Sequence, residues 1–161
     1  MELYRFSLYS HLIIQFINLQ PKPLKDCLVM TRIVAIDDEP AILQAVGDYL
    51  EHFGFDVSTY AYFGAAVEGF AKFCEDLPEQ PDIIIVDYRL PGDLTGTQIV
   101  DDMRKVYGTN IPAILFTGDI SKKTIGDAKA SDLHLLYKPV RMETLRQTVE
   151  EILSTAAQAD G

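Results

Sequence analysis

The sequence predicts an α/β fold: a doubly wound, five-stranded parallel sheet with strand order 2-1-3-4-5 and helices on both faces. Two observations carry this. From Met30 onward, strand-like and helix-like segments alternate five times, and the central strands are nearly unbroken apolar runs. Such runs mark strands buried on both faces of a parallel sheet. Right-handed crossovers leave few topologies, and 2-1-3-4-5 is a common one. In that order the first and third strands are neighbours whose connections leave to opposite sides. A crevice opens at their carboxyl ends, where ligands bind in such sheets.

The elements follow in order. "RIVAID" (32–37) is a short apolar strand. "PAILQAVGDYLEHFG" sets Ile42, Val46, Tyr49 and Phe53 at helical spacing, with Pro40 suited to a first turn and Gly54 to a stop. "FDVSTY" (55–60) alternates and reads as an edge strand. "FGAAVEGFAKFCEDL" puts Val67, Phe70 or Ala71, and Cys74 on one helical stripe. Ile83 to Val86 form the most apolar strand, which closes on Asp87. "TGTQIVDDMRKVYG" lines up Ile99, Met103 and Val106, and "IPAILFT" (111–117) is again apolar. "DISKKTIGDAKAS" is the poorest helix, interrupted at Gly126 and thin in apolar residues. "LHLLY" (133–137) is the fifth strand, and "RMETLRQTVEEILSTA" closes the fold with Met142, Leu145, Val149 and Ile152 inward.

At 161 residues, 48% apolar and 24% charged, the chain suits one soluble domain. We expect that domain over 30–157, an N-terminal extension over 1–29 and a tail over 158–161. In the extension, Leu8, Leu12, Phe16 and Leu19 would share a helical face, but no small-residue cleavage site follows the apolar patch. The plainer reading is an unstructured extension, or a start chosen upstream of Met30. Cys27 and Cys74 make neither a disulfide framework nor metal-ligand spacing, which fits a reduced, cytoplasmic setting. A net charge of −10 argues against nucleic acid as a partner. No run reaches the ~20 apolar residues of a membrane span.

The strand ends carry the chemistry. Asp37 and Asp38 follow the first strand, Asp87 ends the third, Thr117 and Gly118 follow the fourth, and Lys138 with Pro139 follows the fifth. Each alone has an ordinary explanation: "DDEP" as a helix start, Asp87 and "TGD" as turn residues, Lys138 as a snorkelling lysine. Together they converge on one crevice. Three clustered carboxylates do not all stay ionised and dry without a cation. Hard oxygen ligands suit Mg²⁺, and a hydroxyl and an ammonium opposite suit a phosphoryl group.

The motifs "DDE", "VDYRLPGDLTG", "FTGD" and "YKPV" resemble, in order and spacing, the receiver domain of two-component response regulators. The resemblance runs from residue 31 to about 155 and implies the flavodoxin-like form of the doubly wound fold. It implies that Asp87 takes a phosphoryl group from a sensor histidine kinase or histidine phosphotransfer protein. Asp38 and Asp87 would bind Mg²⁺ with the backbone carbonyl of Arg89, and Asp37 would act through water. Lys138 would pair with Asp87 and then, with Thr117, Gly118 and Tyr88, hold the phosphoryl. The Lys138–Pro139 bond would be cis. The wording of "DYRLPGDLTG" is most like receivers attached to hybrid sensor kinases.

Two positions bear on switching. The resemblance implies an aromatic three residues before the lysine, where this chain has Leu135; Tyr137 lies on the same strand face, nearer its end. The usual tyrosine–threonine switch is therefore not expected, and segment 119–131 is the candidate mobile element. Arg89 and Asp119 are candidates to pair across the site's mouth and tune the phosphorylated state's lifetime. With only "STAAQADG" after the last helix, output is expected through protein contacts on the fourth helix, fifth strand and fifth helix, not through an enzyme activity. Two rivals remain: a receiver-like binding module that is never phosphorylated, and a phosphatase of the haloacid-dehalogenase type. The latter has its nucleophile after the first strand in Asp-x-Asp, where this chain has Glu39.

Overall fold

In the computed structural model, residues 30–62, 79–92 and 94–159 are described. Their elements are β1 (Arg32–Asp37), α1 (Pro40–His52), β2 (Asp56–Ala61), β3 (Ile83–Asp87), α2 (Gly96–Tyr107), β4 (Ala113–Thr117), α3 (Lys122–Ala130), β5 (His134–Tyr137) and α4 (Met142–Ala159). The strands form one sheet in the order β2-β1-β3-β4-β5, and every neighbouring pair is parallel. The helix expected over 63–77, the extension over 1–29 and both cysteines lie outside the described residues.

Alternation along the strands explains the layers, because successive side chains point to opposite faces. Ile33, Ala35, Ile83, Ile85, Ile114 and Phe116 pack with Leu43, Val46 and Leu50 of α1 and Leu145, Val149 and Ile152 of α4. Val34, Ile36, Ile84, Val86 and Leu115 pack on the other face with Ile99, Val100 and Met103 of α2 and Ala128 of α3. All five residues of β3 and of β4 are buried, whereas the outer strands β2 and β5 contain none in that class. The central strands thus carry their terminal side chains out of a rigid, dry core.

Three sequence expectations shift by a fraction of a helical turn or more. In α1 the buried arc is Leu43, Val46, Gly47 and Leu50, with Ile42 and Tyr49 at its margin. Phe53 is exposed and lies under the Arg146 guanidinium, 4.9 Å from its ring centroid. In α2 the step inward after Met103 is Tyr107, and Val106 faces solvent. Most consequentially, α3 is not interrupted at Gly126. That glycine lies on the exposed side, where a Cβ would meet nothing, so it costs helix propensity without breaking the helix. Ser121 caps the N-terminus by accepting the Thr124 N–H.

No described helix is long and apolar enough to cross a membrane.

Candidate functional site

Register brings the acidic residues together. Ile36 pairs with Val86, so Asp37 and Asp87 end adjacent strands side by side. Asp87 is level with Phe116, and Thr117 is level with Tyr137, directly before Lys138. The Lys138–Pro139 peptide bond is cis, and the Lys138 N–H donates to the Thr117 carbonyl at 2.8 Å.

Lys138 Nζ lies 2.7 Å from Asp87 Oδ1, 3.2 Å from Asp37 Oδ2 and 3.6 Å from Glu39 Oε1. The other carboxylate oxygens are also engaged: the Glu39 N–H donates to Asp37 Oδ1 at 2.8 Å, and the Arg89 N–H to Asp87 Oδ2 at 2.7 Å. Both carboxylates are buried, and one ammonium bridges them. Burial pushes the Asp37 carboxyl above its ordinary value, against the opposing pull of the Glu39 N–H and Lys138. Burial also pulls the Lys138 ammonium down, but the hydrogen bond and charge of Asp87, with the charge of Asp37, outweigh it and hold the ammonium above its usual value.

The strand ends open onto a cavity of about 480 Å³ lined by Asp38, Glu39, Asp87, Arg89, Thr117, Gly118, Asp119 and Lys138. Asp37 is not in the lining; it stands behind Lys138 as a counter-charge. Thr117 is buried and accepts the Asp119 N–H at 2.9 Å. Across the mouth Arg89 Nη2 lies 2.8 Å from Asp119 Oδ2. With the Ser121 N–H on its other oxygen, this guanidinium lowers the Asp119 carboxyl to about 2.

Besides Asp37, three of the expected site residues, Tyr88, Leu135 and Tyr137, lie outside the cavity lining. Tyr88, expected beside the phosphoryl, has no free donor to offer one. Its N–H is held by the Phe116 carbonyl at 2.8 Å, and its hydroxyl donates to Asp127 Oδ2 at 3.1 Å. Leu135 packs into the core cluster on the α2 and α3 face, while Tyr137 stands 46% exposed beyond it. Gly96, by contrast, shapes the site without lining it. A Cβ there would fall 2.2 Å from the Asp87 carbonyl oxygen, so only glycine lets α2 start this close to the acidic strand end. Thr95 starts the helix with a capping box, its hydroxyl accepting the Gln98 N–H.

The donor set fits a hard divalent cation in charge and chemistry. Lys138 is shared among Asp37, Asp87 and, more distantly, Glu39, while Asp38 adds a further carboxylate to the cavity lining, so carboxylates outnumber the ammonium there. Among the described residues no three acidic, histidine or cysteine side chains form a ready-made cage. Asp38 and Asp87 in the lining are the one or two carboxylates that Mg²⁺ ordinarily takes, with water and phosphate oxygens completing its shell.

Comparison with known proteins agrees with this geometry. The family model "Response regulator receiver domain" matches residues 33–150. The "DNA-binding dual master transcriptional regulator RpaA" of Synechocystis is 34% identical over 128 residues, covering 77% of this chain and 49% of that protein. The "CAI-1 autoinducer sensor kinase/phosphatase CqsS" of Vibrio cholerae is 29% identical over 130 residues, covering 79% of this chain and 18% of that protein. The chain thus spans half or less of the length of these curated relatives. Among solved structures, a CheY-like response regulator receiver domain protein from Methanospirillum hungatei superposes with a TM-score of 0.68 at 27% identity, covering 81% of this chain and 98% of that one.

Proposed function

The chain belongs to the response regulator receiver domain family, and from that premise we propose that Asp87 accepts a phosphoryl group from a histidine kinase or histidine phosphotransfer protein. The observation that carries this reading is Asp87 itself: buried at a strand end, open to the cavity and 2.7 Å from Lys138. A carboxylate oxygen attacks phosphorus, the new O–P bond forms as the N–P bond breaks, and the imidazole leaves with the electron pair. Hydrolysis later returns the carboxylate and free phosphate.

The chain's part is positioning and charge neutralisation. Lys138, already between Asp37 and Asp87, moves its charge onto the transferred oxygens as the Asp87 carboxylate becomes a neutral acyl group in an acyl phosphate. Thr117 and Gly118 line the same space; the Thr117 hydroxyl, which donates to the Asp119 carbonyl at 3.3 Å, would turn to the phosphoryl oxygens, and the Gly118 N–H would donate beside it. Asp38, Asp87 and the Arg89 carbonyl would hold Mg²⁺, with Asp37 acting through water. Bound there, the ion supplies neutralisation of charge shared between acceptor and phosphoryl.

The chain modifies its own side chain rather than turning over a separate substrate, so its output is a changed protein surface. That surface is α3, β5 and α4, in which Tyr137 is prominently exposed. Similarity to parts of a transcriptional regulator and of a sensor kinase/phosphatase supports a cytoplasmic place in a phosphorelay. The haloacid-dehalogenase alternative gains no support: the matching family is a different one, and the second residue after Asp37 is Glu39. Incubation with Mg²⁺ and acetyl phosphate, read by intact mass, tests the proposal. A gain of one phosphoryl group is expected; no gain favours a binding module that is never phosphorylated.

A further inference from the structure

Tyr88 follows the acceptor Asp87 directly, yet its side chain is built into a different part of the molecule. Its backbone is clamped twice: its N–H donates to the Phe116 carbonyl at 2.8 Å, and its carbonyl accepts from Gly96 at 3.0 Å. The residue is 5% exposed, and its ring packs in the same core cluster as Ala128 of α3. Only the hydroxyl reaches polar company. It donates to Asp127 Oδ2 at 3.1 Å and accepts from Lys123 Nζ at 3.4 Å, and Lys123 pairs with Asp127 at 3.1 Å. Lys123 first, and Tyr88 second, hold the Asp127 carboxyl below its ordinary value.

This contact matters because α3 has few others: its C-cap Ser131 is tied to α2, its carbonyl accepting from Arg104 Nη1 and its hydroxyl donating to Asp101 at 3.4 Å, but its body is thinly held. It buries only Thr124 and Ala128, whereas α1 buries four residues and α2 five. An element with so few buried side chains opens at low free-energy cost, so one hydrogen bond is a large share of what holds it. Leu135, the apolar residue on the neighbouring face of β5, offers α3 no hydrogen bond.

We infer that the Tyr88 hydroxyl, held by Asp127 and Lys123, is the positioning link between the strand end that carries Asp87 and helix α3. A shift of the 87–89 backbone carries a packed, rigid ring with it, and the ring's far end is fastened to α3. By reciprocity, whatever order the link gives α3 also acts back on the acceptor segment. The inference rests on the phosphoryl-acceptor reading only for its regulatory meaning; the link itself is testable without phosphorylation.

The test is amide hydrogen exchange on the full chain, comparing wild type with Tyr88→Phe, Asp127→Ala and the double variant, with and without Mg²⁺ and beryllofluoride as an acyl-phosphate analogue. Without the analogue, Tyr88→Phe is expected to speed exchange in 122–130 roughly fivefold, as loss of one net hydrogen bond implies, and Asp127→Ala at least as much, because it also frees Lys123. The double variant should be no faster than Asp127→Ala alone, and Asp127→Ala should also speed exchange in 84–90. With the analogue, the wild-type change in 122–130 should shrink in both single variants. Unaltered exchange in 122–130, additive effects in the double variant, or an undiminished response to the analogue would overturn the link. If wild type ignores the analogue and gains no phosphoryl group, the acceptor reading fails, while exchange without the analogue still decides the link.

Discussion

Gly96 and Asp87 are packed at glycine distance: a Cβ at position 96 would stand 2.2 Å from the Asp87 carbonyl oxygen and 2.9 Å from the Leu115 side chain. The Gly96 N–H meanwhile donates to the Tyr88 carbonyl at 3.0 Å, which fastens the start of α2 to the residue just after Asp87. The first contact is backbone and cannot rotate away, so any side chain at 96 must push α2 or the end of β3. Gly96→Ala is expected to cost about 2–4 kcal/mol in thermal or denaturant unfolding. It should also slow phosphoryl acceptance more than a distant substitution of equal stability cost. An unchanged melting temperature would show that α2 moves freely.

The Arg89–Asp119 pair gives a pH prediction. Asp119 titrates at about 2, below its ordinary 3.8, chiefly because of the Arg89 guanidinium. A depressed carboxylate contributes stability that is present above its unfolded value and is lost as pH falls through the folded one. The window is therefore about pH 4 down to pH 2. Because Arg89 is 75% exposed, that stability is small. Arg89→Ala should move the Asp119 midpoint, followed by carboxyl-carbon NMR, back towards 3.8. It should also alter the dephosphorylation rate, since the pair spans the cavity mouth. A midpoint that stays put would remove the guanidinium as its cause.

Asp37 works in the opposite sense. Its carboxyl is raised by burial, so between its ordinary and raised values the folded state binds more protons than the unfolded one. Stability therefore falls as pH rises through that window, and at neutral pH the charge is a cost. Asp37→Asn keeps an acceptor for the Glu39 N–H and removes the charge. Its melting temperature should rise by a few degrees at neutral pH, with the advantage fading below the ordinary carboxylate range. Phosphoryl acceptance should become less responsive to Mg²⁺. Equal melting temperatures at pH 7 would count against the burial argument.

Lys138→Met leaves Asp37 and Asp87 buried without their shared cation. Removing one partner of such a group destabilises by about 3 kcal/mol. Adding Asp87→Asn removes one of the two stranded charges and should restore part of that loss. Purely additive losses in chemical denaturation would show that Lys138 is not the charge that pairs with Asp87.

Much of the site was legible because strand ends are fixed by apolar runs. "IIIV" and "AILF" can only be central strands, and Asp87 and Thr117 follow them without slack. Asp37 and Lys138 fell into place by the same reasoning. Helix faces were less legible. Ile42 and Leu43 are adjacent and both apolar, so the stripe of α1 had two readings, and sheet packing chose Leu43. Gly126 looked like a break because propensity ignores which side of a helix a glycine occupies. Nothing local showed that the Tyr88 hydroxyl would find Asp127, 39 residues on. The signal for Gly96 was present, a glycine opening a helix directly after a capping threonine, but its tight partner is set by the tertiary approach of α2 to β3.

The central claim is that the phosphoryl group resides on Asp87. Borohydride reduces an aspartyl phosphate to homoserine, which marks the acceptor permanently. After phosphorylation with acetyl phosphate and Mg²⁺, reduction and tandem mass spectrometry should find homoserine at position 87 and at no other aspartate. Homoserine at Asp37 or Asp38, or at no position in a chain that has gained phosphoryl mass, would contradict the account.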